Sequence, residues 1–238
     1  MAKIKVGNCG WSYFSPRAFI ENWREKYASR IAAYASMFST VEVDSMFYKL
    51  PKVSIAEKWY KEASSVNSSF EFVPKAPKSI THNNFDVSDM PSFLDSAKAL
   101  KADKILFQTP PSFVYSEKNQ KTIEAFFSGL DSDFLPMWEP RGDWLSKGAS
   151  FIERFAKKGI VIVVDPLRNK APEGQEVYYF RLHGFGKKMM YSYKFTDSDL
   201  EKVRTYVKSL QNAEEIYVMF NNIYMYEDSL RFAKMIGV

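Results

Sequence analysis

Gly159-Ile160-Val161-Ile162-Val163-Val164-Asp165-Pro166, the run GIVIVVDP, decides the fold. Five consecutive aliphatic residues, four of them flanked by further β-branched neighbours, leave no polar side, so a strand here is covered on both faces. Parallel sheets with helices packed on them provide that environment, whereas a solvent-facing antiparallel strand alternates. Gly159 fits the end of a preceding helix, and Asp165-Pro166 stops the strand. The unit is therefore helix, tight turn, parallel strand.

Working outward, the same alternation repeats. Upstream, the spacing predicts helices over Trp144 to Lys158, Glu117 to Gly129, Pro91 to Leu100, Ser54 to Val66 and Trp23 to Phe38. Trp23, Tyr27, Ile31, Tyr34 and Phe38 form the apolar stripe of the last, and Ser54 with Glu57 has the form of a capping box. Strands are expected over Phe134 to Glu139, Lys104 to Gln108, Phe70 to Lys75, Thr40 to Ser45 and Ile4 to Cys9. Downstream, Pro166 to Glu176 leaves no room for a helix; then come a strand over Val177 to His183, a helix over Asp197 to Leu210, a strand over Ile216 to Phe220 and a helix over Glu227 to Ile236. About eight parallel strands with about seven helices suit an α/β fold of the TIM type, a (β/α) barrel slightly degenerate after strand six. An open, doubly wound sheet is the alternative. No linker, composition shift or internal repeat divides residues 1–238, so one domain is expected.

Composition excludes several classes. With 46% hydrophobic and 26% charged residues, 10 Gly and 11 Pro, the chain is neither disordered nor fibrous. Its 20 Phe, 14 Tyr and 5 Trp supply the surface for a large core. The single cysteine, Cys9, allows no internal disulfide and no thiolate cluster. The longest apolar run falls far short of the about 20 residues that a membrane helix needs, and MAKIKVGNCGW has no secretory pattern, so no membrane association is expected and the expected location, by elimination, is the cytoplasm. The net charge of +5 is spread along the chain as lysines on helix faces, without a run of like charges.

In a parallel barrel the site lies where strands run into their following loops, and here those positions are polar. They hold Asn8 and Cys9; Glu42, Asp44 and Ser45; Lys75, with His82 farther along its loop; Gln108; Glu139 and Arg141; Asp165; Arg181 and His183; and Asn221 with Asn222. The opposite strand ends read as apolar or simple turn residues. Each position also has a structural reading. Asp165 before Pro166 shapes a turn; Glu139 and Arg141, two apart in a strand, form an ion pair; His183 packs by a hydrogen bond; Cys9 is a small buried residue. Trp11, Phe47, Tyr48 and Phe113 wall a pocket or join the core.

Six ordered motifs carry a resemblance across nearly the whole chain: GNCGW at 7–11, FSTVEVDSMFY at 38–48, FVPKAP at 72–77 with Thr81-His82, QTPPSF at 108–113, WEPR at 138–141 and RLHG at 181–184. Together they resemble the YecE-like family, also called domain of unknown function 72. The resemblance implies a TIM-barrel-type fold and leaves the activity open. The matching motif residues are Gly10, Trp11, Glu42, Phe47, Tyr48, Lys75, Pro77, His82, Gln108, Glu139, Arg141, Arg181, His183 and Gly184. The last strand departs from the family pattern: FNNIYMYEDSLRF keeps Asn221 and Asn222 without the small-residue stretch and later Asn.

The polar ring points to an anionic small molecule, a sugar phosphate among the candidates, handled by general acid/base chemistry of hydrolase or isomerase type. Glu42, Glu139, Asp165 and His183 are the expected catalytic residues. Asn8, Trp11, Tyr48, Lys75, His82, Gln108, Arg141, Arg181 and Asn221 are the expected ligand contacts, with guanidinium forks suited to carboxylate or phosphate. A divalent metal on Glu139, Asp165 and His183 is a variant; metal, cofactor and oligomeric state stay open. A second reading is nucleic-acid binding or processing, motivated by an isoelectric point near 9.0 and by KKMMYSYKF at 187–195, where Tyr191 or Tyr193 stacks on bases and Lys187, Lys188 and Lys194 meet phosphates. A third is a non-catalytic binding protein using the same pocket. The sequence lacks a Walker-type phosphate loop, a dinucleotide-binding glycine fingerprint and a serine-hydrolase elbow.

Overall fold

The alternation of short β-branched runs with amphipathic stretches is realised as parallel strands wound with helices. A computed structural model describes residues 2–130, 133–186 and 190–238. In chain order the elements are β1 (Lys3–Cys9), α1 (Trp23–Lys26), α2 (Arg30–Ala35), β2 (Thr40–Val43), α3 (Val53–Ser64), β3 (Glu71–Pro74), α4 (Lys78–Thr81), α5 (Met90–Ala99) and β4 (Lys104–Gln108). They continue with α6 (Glu117–Ser128), β5 (Leu135–Glu139), α7 (Trp144–Lys147), α8 (Ala149–Lys157), β6 (Val161–Ile162), β7 (Val177–Leu182), α9 (Asp197–Ser209), β8 (Glu215–Phe220) and α10 (Met225–Ile236). Among the described residues no helix is long and apolar enough to cross a membrane.

The strands form two parallel sheets rather than the one continuous sheet expected: five strands in the order β3-β2-β1-β8-β7, and three in the order β4-β5-β6. One isolated bridge lies at each seam, Lys75 with Leu106 and Val164 with Phe180. Both seams have a chemical cause. Glu71 N donates to Ser39 O toward β2 and Ala76 N donates to Leu106 O toward β4, so the even-numbered amides of β3 face β4, and Pro74 has none to give. At the other seam Gln175 Oε1 captures the amide of Ile162 at 2.7 Å, and the six-residue strand expected from Ile160 shrinks to a two-residue ladder.

Two helices expected as single pieces are divided. Ser29 caps α2 by accepting from Ala32 N, which separates α1 from α2, and Gly148 separates α7 from α8. A Cβ on Gly148 would lie 2.6 Å from the Tyr115 ring. The capping box expected at Ser54 is not formed, since α3 starts one residue earlier behind Lys52. Segment 166–176 carries no helix, as read from the sequence, and a groove of about 880 Å³ lies on the outside there, lined by Ile152, Lys157, Tyr178, Tyr206 and Leu210.

The core has two parts. One lies between sheets and helices; the other, of Cys9, Val73, Leu106, Met137, Val161, Val163, Tyr179, Tyr217 and Met219, draws on both sheets and fills the space they face. Tyr179 and Tyr217 stack there at 5.5 Å. Below them, at the amino ends of the strands, the chain departs from the apolar or turn-like reading. Lys5 and Lys104 are buried and ion-paired with Glu71 and Glu215: Lys5 contacts both, and Lys104 reaches Glu215 Oε2 at 2.9 Å. Tyr217 OH joins this cluster, accepting from Lys5 Nζ at 2.8 Å and donating to Glu71. Burial raises the carboxyl of Glu215, but hydrogen bonds from the two lysines outweigh it and hold the group at about 2.

Candidate active site at the carboxyl ends of the strands

Strand alternation puts Tyr179, Arg181 and His183 on one inward face of the β7 region, and the others assemble around Arg181. Its guanidinium, fully buried, forks onto Glu42 of β2, with Nε donating to Oε2 at 2.9 Å and Nη2 to Oε1 at 2.7 Å. Nη1 donates to Glu139 Oε2 at 2.6 Å and to Gln108 Oε1 at 3.3 Å, so one arginine ties the five-stranded sheet to the three-stranded one. Tyr179 OH donates to Glu42 Oε2 at 3.0 Å, and Cys9 Sγ lies 3.6 Å from Nη2. Burial works against the charge on Arg181, but Glu139 and Glu42 hold its pKa well above the ordinary value.

Above this layer sits a second one. Arg141 Nη2 contacts Glu139 Oε1 and donates to His183 Nε2, both at 2.8 Å. A guanidinium only donates, so Nε2 accepts and the ring proton of neutral His183 is on Nδ1, 3.9 Å from Asp165 Oδ2. Burial, helped by the two arginines and opposed by Glu139, lowers His183 to about 3. Burial raises Glu139, yet Arg181, Arg141 and His183 bring it down to about 2. Burial pushes Glu42 up against the pull of Arg181, and pushes Asp165 up despite the backbone donors on it. Asp165 does shape the turn, accepting from Leu167 N at 3.0 Å, and it also accepts from His183 N at 3.3 Å.

Lys75 forms a flank of the same mouth. Its Nζ lies 2.7 Å from Asp44 Oδ1 and 4.4 Å from the Phe47 ring centroid. Phe47 meets His82 edge-on at 4.9 Å and Tyr48 at 5.1 Å. His82 is exposed, with Nδ1 2.8 Å from Thr81 Oγ1, and burial together with Lys75 lowers its pKa.

The structure thus brings Glu42, Lys75, Gln108, Glu139, Arg141, Asp165, Arg181 and His183 together, with His82 and Tyr48 at the edge. Four expected ligand contacts lie elsewhere or do other work, fully buried Arg181 among them, its donors engaged by other side chains. Asn8 points away from the mouth, its Nδ2 donating to Tyr34 OH at 3.0 Å, because its neighbour Cys9 takes the inward position. Trp11 packs edge-on against Trp59 at 5.0 Å and Phe72 at 6.1 Å, inside the core. Asn221 is half-buried and its amide donates to Leu182 O at 2.8 Å, a backbone tie between β8 and β7. Glu42 lies beneath Arg181, fully buried with both oxygens engaged, and so is out of reach of a molecule in the mouth. Cys9 is buried and burial pushes its thiol up, which makes it inert.

Asp44 was read at the polar strand ends without a role, and Tyr179 was not among the expected site residues. Tyr179 was legible: it precedes Arg181 by two, on the same strand face. Among the described residues no group of three or more metal-ligating side chains is arranged to hold an ion, and Nε2 of His183 is taken up by Arg141. In the segment proposed to bind nucleic acid, Lys187 and Lys188 lie outside the described residues, Tyr193 OH donates to Asp199 Oδ2 at 2.7 Å, and Tyr191 is exposed with its ring 5.9 Å from that of His183.

Comparison with known proteins places this geometry in a family. Residues 5–237 match the family described as "Protein of unknown function DUF72". The UPF0759 protein YunF of Bacillus subtilis (strain 168) is 24% identical, over 92% of this chain and 88% of its own. The crystal structure of a DUF72 family protein from Enterococcus faecalis V583 superposes with a TM-score of 0.75 at 20% identity, covering 100% of this chain and 99% of that one. A D-psicose 3-epimerase crystallised with D-fructose superposes more distantly, with a TM-score of 0.58 at 11% identity, over 98% of this chain and 100% of its own. The sequence motifs, the parallel α/β architecture and the family match agree: the chain belongs to the DUF72 family, the same family as YecE.

Proposed function

We propose that this protein is an enzyme of hydrolase or isomerase type whose two sheets work as one TIM-type barrel, and that it handles a small anionic molecule by acid/base chemistry at the carboxyl ends of its strands. The observation that carries this reading is the position of Arg141. It is part-exposed, it holds the accepting nitrogen of His183, and its own Nε is buried with no partner among the described residues. A carboxylate or phosphate that draws this guanidinium to itself takes the 2.8 Å donor off His183 Nε2 and leaves that nitrogen only the longer, 3.4 Å contact to Arg181 Nη1. Held neutral at ordinary pH, that nitrogen then takes a proton from the substrate or from water and later returns it. Glu139, ionised, stabilises the imidazolium that forms in between. Lys75 is a second cation for the anion, Gln108 lines the floor, and Glu42 with Tyr179 fixes Arg181. The D-psicose 3-epimerase shares the fold, and a fold alone assigns no substrate.

Thermal denaturation with inorganic phosphate, hexose and pentose phosphates and the corresponding free sugars tests the reading. Phosphorylated compounds should raise the midpoint, by about 2.7 kcal/mol of linkage at a hundred times Kd, and Arg141→Ala should remove the effect. Bound compounds are then followed by NMR for conversion, which Glu139→Gln and His183→Asn should abolish. A shift that survives in Arg141→Ala overturns the anion site; capture without conversion identifies a binding protein instead of an enzyme.

A further inference from the structure

The rim of the mouth is built differently on its two sides. Around the three-stranded sheet, β4 ends on Gln108 and the positions after β5 and β6 supply Arg141, Asp165 and Arg168, while the loop after β4 carries exposed Val114 and no tyrosine in full solvent. Loops after β2, β1, β8 and β7, four consecutive neighbours in the larger sheet, each hold a tyrosine in solvent. Tyr48 is 70% exposed, Tyr13 89%, Tyr224 38% and Tyr191 47%. Exposed aromatics scattered singly need no explanation, but four on adjacent loops at one edge are not scattered. Neighbouring loops are also tied: Ile223 N donates to Tyr191 O at 2.7 Å, and Tyr226 OH donates to Gly10 O at 3.3 Å.

Cations accompany the rings. Lys194 Nζ lies 5.4 Å from the Tyr224 ring centroid, and exposed Lys49 follows Tyr48 in the chain. The chain as a whole carries +5. We propose that this tyrosine arc is a stacking platform for single-stranded nucleic acid. Bases of any sequence offer a flat face to successive tyrosines while lysines beside them meet the phosphates. Four strands at about 4.8 Å spacing give an arc on the order of 15 Å at sheet level, wider at the rim, room for a few nucleotides. Lysines next to the rings favour a polyanion over a neutral glycan, which would stack on tyrosine equally well. A duplex keeps its bases covered and cannot use the platform. This proposal concerns the rim, which borders the acid/base floor at Tyr191, whose ring lies 5.9 Å from that of His183, and at Tyr48, but it does not need that reading to hold.

The test is fluorescence anisotropy of the full chain with a labelled oligothymidylate of about 12 nucleotides. Binding should weaken steeply between about 50 mM and about 200 mM salt, and Lys194→Ala should reduce that slope. Tyr48→Ala, Tyr191→Ala and Tyr224→Ala should each lower affinity by about 5- to 150-fold, while the phenylalanine variants keep it. All are surface substitutions, so an unchanged melting temperature verifies that the fold is intact. No binding at the lower salt, parent-like affinity in all three alanine variants, equal affinity for the duplex, or preference for an uncharged maltohexaose would each overturn the proposal. None of these outcomes bears on phosphate linkage through Arg141, so the two readings fail separately.

Discussion

Arg181 is the residue on which most of the mouth depends. Its five donors are taken by Glu42, Glu139, Gln108 and the Cys9 sulfur, so it is spent on holding other side chains rather than on a ligand. Removing one member of a buried ion-paired set strands the rest, at a cost of about 3–5 kcal/mol. Arg181→Met should therefore lower the unfolding free energy in urea by about that much, and adding Glu42→Gln should recover part of it; a loss below about 1 kcal/mol would mean that water enters and solvates the carboxylates. Acid sensitivity belongs to the same residues. The unfolded chain protonates His183 near 6.5 and the folded one only near 3, so stability falls as pH drops through that window. Glu139, lowered from 4.5 to about 2, contributes stability above 4.5 that is lost as pH falls toward 2. Urea midpoints taken from neutral pH downward should fall continuously, with His183→Phe flattening the upper part of the curve and Glu139→Gln the lower.

At the scale of elements, the larger sheet depends on close approach of β1 and β2. A Cβ on Gly7 would sit 2.3 Å from Thr40 O, so Gly7→Ala must push the two strands apart. Overpacking of this kind costs about 1–3 kcal/mol, to be read as a lower melting temperature. Much at this scale was legible in the sequence. Every strand was found within a residue or two at its start, because β-branched runs between turn signals leave little else to form; β6 kept its position but lost its length to the Gln175 side chain, a tertiary capture that no local pattern announces. The divided helices escaped for a related reason: the apolar stripe from Trp23 to Phe38 runs through Ser29 without losing register, so periodicity cannot register the break. In the site, residues on inward-facing registers of polar strand ends were found, whereas Asn8 was misplaced because one residue of register turns a side chain from the interior to the helix layer, and Trp11, beyond the end of β1, packs on Trp59 and Phe72 by a tertiary contact that no strand register gives.

For the molecule as a whole, the backbone ladder is thinnest at the two seams. Each is crossed by a single bridge, while β1 and β8 share a six-residue register. Hydrogen exchange should accordingly be faster in 161–164 than in β1 and β8, and equal protection would show that the seams are not separate opening units. The amino-terminal network departs furthest from the sequence reading, which took these strand ends as apolar or turn residues: Lys5, Glu71, Lys104 and Glu215 pair across four strands, β1, β3, β4 and β8, and only that pairing reveals that two lysines are buried. That network, with the tyrosine pair above it, stoppers the interior from below. On the proposed function, anything that reaches Glu139 enters and leaves by one doorway at the carboxyl ends of the strands. Product and fresh substrate would then queue for a single passage, so rates measured late in a reaction would report on departure as much as on chemistry.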